Sequence, residues 1–200
     1  MKNKKREKKR EKNGFLKRNY ILSWKYLKES KNFIYLAVLA FFGFAVIGFL
    51  YPNFFRQEIM DFLKELVQKT QGLNQFEMIK FILLNNLESS LTGMIFGIFL
   101  GIIPLIILIV NGYVLGFVSS ISVDTAGIGV LWRLFPHGIF ELPAVFISLG
   151  MGIKLGSFIF QKKKMDYFKE CFINSIRIFV FIVIPLLVIA AIIEGILMLG

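Results

Sequence analysis

Cysteine and histidine are almost absent: Cys171 and His137 are the only ones in 200 residues. One thiol excludes an internal disulfide framework, and one imidazole excludes a multi-histidine metal site. Charge is scarce as well. Only 18% of residues are Asp, Glu, Lys or Arg, crowded into a few stretches, too few to cover the surface of a soluble domain. Apolar residues are abundant instead: they make up 56% of the chain, 23 are Phe, and the mean hydropathy is +0.68. That composition belongs to an integral membrane protein. The acidic sign is the scarcer one, 13 residues against 24 basic, and thirteen of the Lys and Arg precede residue 32. A basic excess gathered at one end is a membrane-topology signal before it is a nucleic-acid signal, and no nucleic-acid partner is expected.

Residues 1–14 open with MKNKKREKKREK, which has nothing to bury and is predicted to be a disordered cytoplasmic tail on anionic lipid headgroups. Phe15 to Lys28 mixes Trp24, Tyr20 and Tyr26 with Lys and Arg, the pattern of a helix lying on the inner membrane surface. From residue 15 to 200 the chain reads as one membrane domain. Its first span is placed at 33–51, which is uncharged and framed by Tyr35 and Tyr51.

Amphipathic helices outside the membrane are expected over about 57–88. Ile59, Phe62, Leu63, Leu66 and Val67 recur at helical spacing with charges on the other face, and Gly72 breaks the run. Asn74 with Glu77 three residues on resembles a capping box that restarts a helix. Asn86, Ser90, Gly93, Gly97, Gly101 and Pro104 then follow at steps of three or four and read as one small-residue face of a second span, 91–110. That face suits either another helix of the same chain or a second copy in a homodimer, the first being favoured. Gly112 and Gly138 are further packing candidates. A third span is placed at 113–134, broken by Asp124 and glycines, a fourth at 138–160 and a fifth at 173–199.

The expected fold is an all-α integral membrane bundle of about five transmembrane helices plus interfacial amphipathic ones. Lysine-rich 161–170 is assigned to the inside with the N-terminus, and 52–90 to the outside, which puts the C-terminus outside. Arg177 and Lys154 read as snorkelling inner-surface anchors, and Glu194 as solvated or paired near the outer end.

Pro136-His137-Gly138-Ile139-Phe140-Glu141-Leu142-Pro143-Ala144 is the densest unusual patch. His137 and Glu141 share a helix face, and Asn85, Asn86 and Glu88 belong to the same outer level. The pair reads first as a structural hydrogen-bonded lock, then as a proton or substrate path, then as a catalytic or metal site. A zinc-protease motif needs a second histidine, and no nucleophile elbow is present. No catalytic residue, metal or cofactor is therefore assigned, and the chain reads as non-enzymatic.

Asn85-Asn86, the glycine stripe, Asn111-Gly112 and the Pro-His-Gly block, in that order over residues 30–200, resemble the stage II sporulation protein M family of multi-span membrane proteins. The resemblance implies a prokaryotic cell membrane and a role beside cell-wall hydrolases, without implying that the source sporulates. Its motif positions fall on Asn85, Asn86, Asn111, Gly112, His137, Gly138 and Glu141, and it brings no catalytic residue. The expected function is a scaffold or anchor for envelope and cell-wall remodelling partners. The alternative is a small-solute or proton transporter, suggested by the broken third span and by Pro143 and Pro185 within helices.

Overall fold

The computed structural model describes the backbone of residues 2–197 and the side chains of 14–132 and 138–196. Its helices are α1 Lys2–Glu29, α2 Lys31–Leu50, α3 Arg56–Thr70, α4 Gln75–Ile95, α5 Ile102–Ala126, α6 Phe135–Gly156, α7 Lys164–Ile178 and α8 Ile184–Leu197. No strand occurs among the described residues, and the chain is an all-α bundle. Among the described residues, five stretches are long and apolar enough to cross a membrane: Lys31–Leu50, Gln75–Ile98, Ile102–Ala126, Gly138–Phe160 and Lys164–Ile196.

Over the basic stretch that precedes Phe15 the backbone is helical from Lys2, continuous with the rest of α1. Lys, Arg and Glu are strong helix formers, nothing interrupts them before Gly14, and the packed part of α1 supplies a nucleus from which the helix propagates. Ser30 separates α1 from α2. Its hydroxyl donates to the Tyr26 carbonyl at 2.7 Å, a back-bond that competes with the helical ladder and bends the axis.

Gly72, with φ +82°, separates α3 from α4. The capping box that opens α4 is complete: Glu77 N–H donates to Asn74 Oδ1 at 3.0 Å and Asn74 N–H donates to Glu77 Oε2 at 2.9 Å. Asn74→Ala should cost about 1 kcal/mol. A lowered midpoint of heat unfolding in detergent checks this, and an unchanged midpoint would mean that the box adds nothing.

The second and third spans fall elsewhere than at 91–110 and 113–134. Instead of ending as part of an amphipathic 57–88 region, α4 runs unbroken and continues as a 3₁₀ turn at Phe96–Ile98, and Gln75–Ile98 as a whole is long and apolar enough to cross a membrane. The chain then reverses through two left-handed residues, Leu100 at φ +59° and Gly101 at φ +72°. Gly101 accepts that backbone at no Cβ cost, and Pro104 sits in the first turn of α5, where a missing N–H is harmless. The small-residue stripe is therefore split between a helix end, a turn and a helix start. Asn111-Gly112 lies within α5, and Asp124 is exposed near the end of that helix.

α7 and α8 are joined by a π turn over Phe179–Val183, just before Pro185. Proline cannot donate to the ladder and its ring crowds the carbonyl four residues back, so the wider turn absorbs the misfit.

Close backbone approaches give the directions. Gly112 rests on the Phe41 carbonyl and Gly116 on that of Ala45, so α2 and α5 run parallel. Ser148 Oγ donates to the Ser90 carbonyl at 2.7 Å, Gly97 rests on Gly152, and Gly156 meets Gly101, so α4 and α6 are parallel too. Ile34 touches Gly150 and the Phe41 and Phe146 rings meet edge on at 5.2 Å, which sets α2 antiparallel to α6. Gly195 against Ile79, with Leu187 in one cluster with Leu87, Leu91 and Met94, sets α8 antiparallel to α4. Ser30, Lys154 and the lysines of 162–164 consequently share one end of the bundle. α3 packs Ile59 on Tyr113 and Phe117 toward the other.

Candidate functional site

Two polar neighbourhoods have the residue types to do chemistry, and they lie at opposite ends. The first contains the block expected from sequence. α6 begins at Phe135, so Pro136 falls in its first turn. Glu141 follows half-buried on the same helix. Carried toward the far end, the Ser90–Ser148 register brings Asn86 and Glu141 to within about a turn of each other along the α4–α6 seam. The expected pairing of His137 with Glu141 falls outside the described residues.

Asn111 does not join Asn86 and Glu141. Asn85 is exposed and Asn86 half-buried, and neither side chain makes a hydrogen bond among the described residues. Asn111 is exposed on α5, and its amide donates at 2.8 Å to the Ile107 carbonyl of its own helix. Spacing in the sequence cannot reveal this, because the site depends on which helices become neighbours. Among the packing candidates, Gly93 meets the Leu149 side chain, Gly97 meets Gly152, Gly101 meets Ile153 and Gly112 meets Phe41. Among the described residues, a Cβ at Gly138 would touch only Leu142 of the same helix. Gly48 and Gly116 make equally close backbone approaches and were not singled out by any sequence motif.

The second neighbourhood was not legible as a site. Lys154, in the last turn of α6, is 7% exposed and turns inward rather than snorkelling. Its Nζ donates to Ser30 Oγ at 2.8 Å and lies 3.7 Å from the centroid of the Tyr26 ring. Ser30 in turn donates to the Tyr26 carbonyl, so cation, hydroxyl and carbonyl form a chain of bonds in one direction. Nearby, the half-buried Arg177 donates from Nε to Asn19 Oδ1 at 3.0 Å and from Nη1 to Asn174 Oδ1. Lys154 of α6 and Arg177 of α7 are thus each met by a group that α1 or its junction with α2 delivers. Cys171 is wholly buried in this contact.

Burial pushes the Tyr26 phenol far above its ordinary range, with the Cys171 thiol beside it adding to the shift. The phenol stays neutral in the folded chain while the unfolded one ionises above about pH 10. A group raised on folding favours the folded state below the unfolded value and loses that contribution as pH rises. Heat stability should therefore decline above about pH 10, and Tyr26→Phe should remove part of the decline. A decline of equal size in Tyr26→Phe would trace it to other groups.

A family model described as Stage II sporulation protein M matches residues 36–197. No curated protein and no solved structure matches the chain.

Proposed function

The chain belongs to the stage II sporulation protein M family, and on that premise we propose that it is a non-enzymatic scaffold that anchors envelope and cell-wall remodelling partners in the cell membrane. The observation that carries this is two seams of backbone-to-backbone contact, Gly97 on Gly152 between the end of α4 and α6, and Gly112 on Phe41 with Gly116 on Ala45 between α5 and α2. Helices that meet this closely form a stiff body, suited to holding other proteins in place. Crosslinking in intact cells followed by isolation in mild detergent should recover a stoichiometric envelope partner. Recovery of the chain alone would count against the proposal. Solute or proton flux through reconstituted vesicles, abolished by Glu141→Gln, would replace the scaffold with a transporter.

The proposed orientation puts the N-terminus and 161–170 in the cytoplasm, with α3 and the C-terminus outside, following the distribution of Lys and Arg. A phosphatase reporter fused after Gly200 should be active. An inactive phosphatase with a fluorescent cytoplasmic fusion at the same site would refute five crossings.

A further inference from the structure

We propose that α1 carries a docking face for an anionic bilayer surface, the headgroup layer of the membrane that the bundle crosses. α1 lies before the residues matched by the family. The contacts with the bundle fix which way the helix faces. Asn19, Ser23, Tyr26 and Leu27 are turned inward, held by Arg177 at one point and Lys154 at another. That leaves a second face outward. Leu16, Tyr20, Trp24 and Lys28 follow at intervals of four and form one row, with Lys17 and Ile21 beside it and Arg18 and Lys25 flanking.

All eight of those residues are exposed, Ile21 by 55% and Trp24 by 43%. Tyr20 and Trp24 pack edge to face with centroids 6.2 Å apart, which makes a single aromatic ledge. Tyr and Trp have an apolar body and a polar tip and settle at headgroup depth. Over residues 14–29 four basic side chains oppose one acid, Glu29, and eight more basic residues precede them in 1–12. Basic charge beside an aromatic ledge matches an anionic lipid surface. A nucleic acid would leave Leu16 and Ile21 in water. The inference depends on the chain spanning a membrane and not on any protein partner.

The full-length protein with Trp132→Phe leaves Trp24 as the one tryptophan and can be placed in nanodiscs of phosphatidylcholine alone or with phosphatidylglycerol. With phosphatidylglycerol, Trp24 emission should shift to the blue, and quenching by aqueous acrylamide should fall severalfold. Lys17→Glu, Lys25→Glu and Lys28→Glu together should erase that difference. High salt should do the same to the protein with all three lysines intact, so a misfolded triple variant cannot obscure the result. Protection of Cys171 from maleimide in both lipids would show that α1 keeps its inward contacts. Equal acrylamide access in the two discs would overturn the proposal, as would a difference that survives both the triple substitution and salt. Shielding that arises only on adding short duplex DNA would overturn it in favour of a nucleic-acid surface.

Discussion

Gly97→Leu should open the α4–α6 seam and lower stability by roughly 1–3 kcal/mol or more. A Cβ at Gly97 would land on the carbonyl, carbon and Cα of Gly152. These are backbone atoms of a helix, so no rotamer change relieves the clash, and the two helices must move apart. Moving them apart also loosens Leu149 and Met151, both almost wholly buried beside that contact. Even Gly97→Ala meets the same atoms and should be destabilising, by less. Gly43→Leu is the control, because nothing lies within 4 Å of a Cβ there. Heat-unfolding midpoints in one detergent compare the set. If Gly97→Leu matches the parent, the α4–α6 contact does not hold the bundle together.

Lys154→Glu should cost on the order of 3–5 kcal/mol, whereas Lys154→Met should be close to neutral. Glutamate would place a carboxylate against the negative face of the Tyr26 ring, with Glu29 and Glu170 already close enough to act on this position. Methionine keeps much of the apolar stem and removes the charge. Ser30 would still donate to the Tyr26 carbonyl and so would not be stranded. The Cys171 thiol reports the difference, because it is wholly buried where α1 meets α7. Alkylation by maleimide should speed up severalfold in Lys154→Glu and stay slow in Lys154→Met. A thiol equally protected in all three proteins would mean that Lys154 does not hold α1 in place.

The two corrections to the helix plan have one physical origin. A stripe of small residues at steps of three and four is written identically whether it lies on one helix or is folded across a turn. Gly97 and Gly101 obey helical spacing, yet one sits in a 3₁₀ turn and the other is left-handed. The turn is stable because Gly101 packs on Ile153 and Gly156 packs on Gly101, contacts between residues more than fifty positions apart. Likewise, Lys154 near a helix end looks like an anchor that reaches for water. Only the arrival of Ser30 and Tyr26 from the other end of the chain makes an inward position affordable for a cation.

Local chemistry alone determined the membrane class, the helical content, the break at Gly72 and the Asn74–Glu77 cap. Each depends on hydropathy, propensity or bonds that span three or four residues. Tertiary structure decided where α4 ends, which glycines touch, that Asn111 stands apart from Asn86 and Glu141, and that α1 supplies the partners of Lys154 and Arg177. Those outcomes depend on which helices become neighbours and at what register, and in a bundle of similar apolar helices the neighbours are chosen by the closeness of backbone packing, which appears only once the chain is assembled.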